Sequence, residues 1–282
     1  MPKLGIIAGG GDLPIALAEH LRDAGADYFI ARIAPFADPA LDEFPGETHN
    51  LGEVGARIDA IKSAACDAVA FVGIVPRPDL SQLKLDAMGM AVAPKVAMAL
   101  REGDDALLRT LIEVHAEAGL NVVGADSVMT DLIAASGPLG AHAPNERDLA
   151  DIKRAARVVA ALGDLDIGQG AVACDGVVLA VEAQEGTDAM LARVATLSTT
   201  LRGTDAERRG VLVKRPKPGQ DRRIDLPAIG VATIERAAQA GMSGIAVEAG
   251  GALIVRKRAV TEAADKAGLF VCGFTLQDVS EQ

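Results

Sequence analysis

A chain of 282 residues, half of them hydrophobic, has enough apolar material for one large core or two ordinary ones. Its net charge of −11 excludes a general nucleic-acid binder, which needs clustered Lys and Arg, and an aromatic content of 2% leaves little for base stacking. No stretch of about 20 residues is free of charges and chain breakers, so no transmembrane helix is expected. The first residues read as a strand and a turn rather than a signal peptide, so a cytoplasmic protein is expected. Cys66, Cys174 and Cys272 are widely spaced, match no zinc or redox pattern and read as reduced core thiols.

Along the first half, short apolar runs alternate with helical patterns. "LGIIA" reads as a strand and "LPIALAEHLRDAG" as a helix; "DYFIARI" is a second strand. "VGARIDAIKSAAC" is a helix, "DAVAFVGIV" a buried strand, "DDALLRTLIEVHAEAGL" an amphipathic helix and "NVVGA" a last short strand. Strands separated by helices imply a parallel sheet with helices on both faces. Periodicity stops where Gly, Pro, Ser and Asn cluster, so residues 135–147 read as a linker between domains at 1–134 and 148–282. In the second half, Asp175-Gly176 in "AVACDGVVLAVEA" signals a hairpin, and Gly250-Gly251 in "IAVEAGGALIV" predicts another. "GTDAMLARVATL" and "AIGVATIERAAQAG" read as helices and "GVLVK" as a strand. The expected fold class is α/β in two domains: an N-terminal Rossmann-like parallel-sheet domain and a C-terminal mixed-sheet domain.

The strand-to-helix turn holds Gly9, Gly10 and Gly11, where a dinucleotide fingerprint would sit, but its third position is Pro14. The second strand carries Arg32 where an NAD binder usually has an acidic residue, which leaves an NADP-dependent oxidoreductase as one alternative. The loop also suits a nucleotide or sugar group, because glycines admit a ligand close to the backbone and a helix N-terminus offers unpaired N–H groups. The alternative is a tight strand-to-helix turn with no ligand.

The densest chemistry is "GVLVKRPKPGQDRRIDLPAIG", with Lys214, Arg215, Lys217, Asp221, Arg222, Arg223 and Asp225. It is either a solvated charged loop or a loop that pairs cations for phosphate oxygens with a carboxylate for a metal or water, as phosphoryl transfer requires. In "AVEAQEGTDAML", Glu182, Glu185 and Asp188 cluster where a strand turns into a helix. Thr187 or Asp188 would cap that helix, or Glu182 and Asp188 would bind a metal with the helix N-terminus facing an anion. Asp104 and Asp105 read as the cap and first-turn charge of a helix. His20, His49, His115 and His142 lack metal spacing, and no serine-hydrolase elbow or Walker motif is present.

Four segments, "GIIAGGGDLP", "DDALLR", "DIGQGAVACDGVVLAVEAQEGTDAML" and "GVLVKRPKPGQDRRIDLPAIG", together resemble the LpxI-type UDP-2,3-diacylglucosamine pyrophosphatases of lipid A biosynthesis, over nearly the whole chain. "AIGVAT" departs from the more usual Pro-containing form at a helix start. The resemblance implies Mg²⁺-dependent hydrolysis of UDP-2,3-diacylglucosamine to UMP and 2,3-diacylglucosamine 1-phosphate (lipid X). It implies a ligand held between the two domains, and a homodimer. The family's essential aspartate falls on Asp225, expected to bind Mg²⁺ or orient the attacking water. Gly10, Gly11, Asp12 and Leu13 would line the nucleotide or glucosamine end. Lys214, Lys217 or Arg223 would face the diphosphate, with Thr187 in the substrate-contacting set. Asp225, Asp188 and Glu182 are the expected metal ligands. The acyl chains need an apolar groove, and residues 83–100 offer part of one or a plain buried helix pair. Peripheral contact with a membrane surface is expected. A non-catalytic nucleotide-lipid binding protein is the other alternative.

Overall fold

The structure is a computed structural model that describes residues 3–76, 79, 82–218 and 226–280. The chain folds as two compact units, divided between Thr130 and Asp131. In the first unit the elements run β1 (Leu4–Ala8), α1 (Asp12–Asp23), β2 (Tyr28–Ala34), β3 (Gly46–Asn50), α2 (Val54–Ser63), β4 (Ala68–Val72), α3 (Ala87–Glu102), α4 (Asp104–Glu117), β5 (Asn121–Val122) and the short α5 (Ala125–Val128). All five strands are parallel, in the order β3-β2-β1-β4-β5. Helices cover the sheet, so β1 is buried at every position and reads as a continuous apolar run. The core joins Ile7, Ile33 and Val69 of the strands to Ile58 and Ile61 of α2 and Ile112 of α4.

β3 is absent from the sequence reading. "GETHN" is polar because it forms the sheet's edge, with only His49 buried. Residues 83–100 are not a buried helix pair. They hold one helix, α3, which contains Pro94 and exposes Met90 and Met98. Asp86 caps it, accepting the N–H of Gly89 at 2.6 Å. Gly103 occupies the cap position of α4, so Asp104 and Asp105 sit in its first turn, where they complement the helix dipole.

The second unit continues with β6 (Gly137–Leu139), α6 (Glu146–Asp164), β7 (Gly170–Cys174), β8 (Val177–Val181), α7 (Gly186–Ala195), β9 (Val211–Lys214), β10 (Ala228–Ile229), α8 (Val231–Gln239), β11 (Gly244–Glu248), β12 (Leu253–Ile254), α9 (Lys257–Ala267), β13 (Phe270–Phe274) and α10 (Leu276–Val279). Its six-stranded sheet has the order β6-β13-β11-β9-β7-β8 and is mixed: β9, β11 and β13 are parallel, while β6, β7 and β8 run antiparallel to their neighbours. Strand alternation sends Val211 and Val213 toward α6, against Ile152 and Ala156, and Leu212 into a second core with Leu191, Ile234 and Val260.

Part of the stretch read as a linker is ordered as β6, and Asn145 begins α6 with a capping box to Asp148. The β7–β8 hairpin forms as expected, with Asp175 and Gly176 both at positive φ (49° and 79°). The Gly250-Gly251 hairpin does not form. β11 already has parallel partners on both sides, so the chain leaves the sheet at these glycines and β12 pairs in parallel with β10.

Candidate functional site

In the first unit the topology reverses between β1 and β4, and the carboxyl ends of the strands at such a reversal are where open α/β sheets take ligands. The glycine loop lies there. Its backbone is already partly used: Gly9 N–H donates to Val72 O and Gly10 N–H to Ile74 O, each at 2.9 Å, while Gly10 O accepts from Ile74 N. A Cβ at Gly9 would lie 2.6 Å from Ile74 O, and one at Gly10 would lie 2.8 Å from Phe36 O. Gly9 and Gly10 are therefore required by close packing alone. Pro14 is buried in the first turn of α1, and the close approach that a third fingerprint glycine gives comes instead from Gly73, where a Cβ would lie 2.6 Å from Pro14 Cγ. Gly11, at φ 90°, and Asp12 are exposed at the N-terminus of α1, with Leu13 half-buried beside them. These are the loop positions a ligand can reach.

Arg32 does not face a 2′-phosphate site. It is buried, with its guanidinium donating to the carbonyls of Leu41 and Phe44, and Nε lies 3.3 Å from Asp42. It braces the turn between β2 and β3, which removes the residue on which the NADP reading stood.

In the second unit, buried charge collects at the carboxyl end of the parallel strands. Lys214 ends β9, Gly170 stands beside it at the start of β7, and Glu182 follows β8, donating its N–H to Gly170 O at 2.8 Å. Lys214 Nζ donates to Thr187 Oγ1 at 2.6 Å, Thr187 Oγ1 donates to Glu182 Oε1 at 2.8 Å, and Glu182 Oε2 lies 3.8 Å from Nζ. Lys214 and Glu182 are both buried. Next along the chain, Arg215 Nε lies 3.1 Å from Glu248 Oε2 at the end of β11, and Lys217 Nζ donates to Asp166 Oδ1 at 2.7 Å. Each described cation of the basic stretch thus has a carboxylate from another element, so the start of that loop is anchored rather than solvated.

The three acids between β8 and α7 diverge. Glu182 turns inward to Lys214. Glu185 caps α7 without a side-chain cap bond and pairs outward with Arg193 at 3.2 Å; hydrogen bonding to backbone N–H groups holds its carboxyl below the usual range. Asp188 is exposed in the first turn of α7. Thr187 does not cap the helix, because its hydroxyl bonds Glu182. Among the described residues, no group of three or more His, Cys, Asp or Glu side chains is placed to hold a metal ion. Arg223 and Asp225 lie outside the described residues. Sequence reading missed Asp166 and Glu248, whose roles as counter-ions are set by pairing across distant segments; no local signal marks them.

The thiols are inert. Burial pushes Cys174 up to about 11 and Cys272 up to about 12, and raises Cys66 as well. His115 is fully buried against Phe71, with Nδ1 2.8 Å from Leu111 O, and desolvation lowers it to about 4, so it is a neutral core histidine.

These features define an α/β protein of two units, each presenting a helix N-terminus or a buried charge cluster at the strand ends where such sheets take small ligands. A family model for the LpxI N-terminal domain matches residues 3–132, and one for the LpxI C-terminal domain matches residues 135–272. The chain belongs to the LpxI family. It is 51% identical over 278 residues, 99% of both chains, to a Caulobacter vibrioides protein described as UDP-2,3-diacylglucosamine pyrophosphatase LpxI. Among solved structures, the whole chain aligns with 91% of a CobK precorrin-6A reductase at a TM-score of 0.34 and 14% identity, a likeness too slight to carry any argument.

Proposed function

We propose that this chain is a hydrolase of lipid A biosynthesis that cleaves the pyrophosphate bond of UDP-2,3-diacylglucosamine. Water forms a new bond to one phosphorus and the bridging P–O bond breaks, giving UMP and 2,3-diacylglucosamine 1-phosphate. The observation that carries this reading is 51% identity across 99% of a relative so described. Lys214, which makes one hydrogen bond, to Thr187, and an ion pair at 3.8 Å with Glu182, supplies its other ammonium protons to the diphosphate. Lys217 and Arg223 complete the contacts around it, and Gly11, Asp12 and Leu13 meet the nucleotide or glucosamine end through the start of α1. An uncharged, mobile acyl region needs an apolar partner, and the exposed Met90 and Met98 of α3 suit one.

Mg²⁺ is part of the proposal. The described residues do not make a metal cage on their own. A site of one or two carboxylates completed by substrate phosphate oxygens needs no cage, and Asp225 with Asp188 would serve. Bound there, the ion would neutralise charge developing on the phosphoryl oxygens. A homodimer acting in the cytoplasm, in peripheral contact with the membrane surface, completes the reading; no helix among the described residues is long and apolar enough to cross a membrane. The test is release of UMP from UDP-2,3-diacylglucosamine with and without Mg²⁺, for wild type and Asp225→Ala, with substrate binding measured in parallel. Metal-dependent release that is lost in the variant while binding remains supports the proposal. Tight binding without turnover in the wild type overturns it in favour of a binding protein.

A further inference from the structure

The Glu182–Thr187–Lys214 chain has a fixed direction. An ammonium has no acceptor lone pair, so Lys214 Nζ must be the donor in its 2.6 Å contact with Thr187 Oγ1. A threonine hydroxyl has one proton, and this one goes to Glu182 Oε1 at 2.8 Å. Thr187 therefore has no proton left for a ligand while the chain is intact; it ties a carboxylate to an ammonium.

The backbone packs closely against Glu182. A Cβ at Gly170 would lie 2.2 Å from Glu182 Oε2, and a Cβ at Gly168 would lie 2.0 Å from Glu182 O. With glycine at 170 the Glu182 side chain crosses the start of β7 toward Lys214, its neighbour on β9, and a Cβ there would displace its carboxylate from this position. Glu182 Oε2 is buried, has no hydrogen-bond partner among the described residues, and faces Nζ at 3.8 Å. A divalent cation on that oxygen would sit beside an ammonium, so a metal is disfavoured there by like-charge repulsion.

We propose that Glu182 is a positioning residue rather than a metal ligand: through the Thr187 hydroxyl it fixes the Lys214 ammonium at the end of β9, with its two remaining protons presented to the substrate's diphosphate. This rests on the reading that Lys214 meets the diphosphate. Glu182 then acts only through Lys214.

The experiment is a double-mutant cycle on the full-length protein, with steady-state hydrolysis of UDP-2,3-diacylglucosamine measured across Mg²⁺ concentration for Glu182→Gln, Lys214→Met and the double variant. Thr187→Val and Thr187→Ser form a second pair. Each variant's melting temperature is recorded, so that an unfolded protein is recognised. Losing a hydrogen bond to a charged group costs about ten- to a hundredfold, so Lys214→Met should lower kcat/KM by that order; Glu182→Gln keeps an acceptor for Thr187 but removes the charge that holds the ammonium, and should lower kcat/KM by about tenfold. The double variant should be no worse than Lys214→Met alone, and the Mg²⁺ concentration for half-maximal rate should stay unchanged in Glu182→Gln. Thr187→Ser, which keeps the hydroxyl, should recover about tenfold of what Thr187→Val loses. Multiplying effects in the double variant, or a raised Mg²⁺ requirement in Glu182→Gln, overturns the proposal while leaving Lys214 as a diphosphate contact. A folded Lys214→Met with wild-type kcat/KM overturns that contact itself. If Glu182→Gln does not fold, the two Thr187 variants decide: equal losses overturn the proposal.

Discussion

Replacing Gly73 with alanine tests whether the glycine loop is a packing device. Gly73 follows β4 with φ 91°, and an alanine Cβ would lie 2.6 Å from Gly10 O, 2.6 Å from Pro14 Cγ and 3.0 Å from Gly9 C. Two of these neighbours are backbone and the third is a rigid ring, so none yields by a rotamer change. The left-handed conformation costs a residue with a Cβ about 1–2 kcal/mol, and overpacking adds about 1–3 kcal/mol. The sum is about 2–5 kcal/mol. Gly119, between α4 and β5 of the same unit, is the control: its φ is 84° and nothing lies within 4 Å of its would-be Cβ, so Gly119→Ala bears the conformational cost alone. At about 3 °C per kcal/mol for a unit of this size, Gly73→Ala should melt roughly 6–15 °C lower and Gly119→Ala roughly 3–6 °C lower. Thermal unfolding followed by circular dichroism reads both. Equal losses in the two variants would refute the claim that the loop is closed by contact with the end of β4, and would return its glycines to ligand binding as their main reason.

Stability should also fall on acidification because of His115. Its pKa is lowered to about 4 by burial, below the value of about 6.5 in an unfolded chain. Unfolding therefore takes up a proton between those pH values, and the stabilisation, fully present above pH 6.5, is lost as pH falls toward 4. The linkage is worth up to about 3 kcal/mol. His49, lowered mainly by burial, acts with the same sign. Urea midpoints measured from pH 7.5 to 4.5 should fall steeply in the wild type and less steeply in His115→Phe; parallel curves would sink the assignment. The buried thiols should be silent toward a disulfide reagent at pH 8 in the native protein and react fully in guanidinium, and fast native labelling would contradict their placement.

Much of this protein follows from the order of its residues. Continuous apolar runs and helix-period stretches specify β1, α1, β2, α2, β4 and α4, because each pattern reflects contacts among near neighbours and one buried face. The Asp175-Gly176 turn is legible for the same reason: two positive φ values suffice to reverse the chain. The family is legible too, from four ordered segments. Gly250-Gly251 shows the limit. The same local chemistry predicts a hairpin there, but whether two strands pair depends on whether the first still has an open edge, and β11 has none. β3 and β6 are short edge strands whose partners, not their composition, make them strands. The basic stretch carries the same lesson into the site. Sequence marks Lys214, Arg215 and Lys217 as a cluster of cations. Only the tertiary structure brings Glu182, Glu248 and Asp166 to them from other elements, because Coulombic pairing depends on distance in space and is blind to distance along the chain.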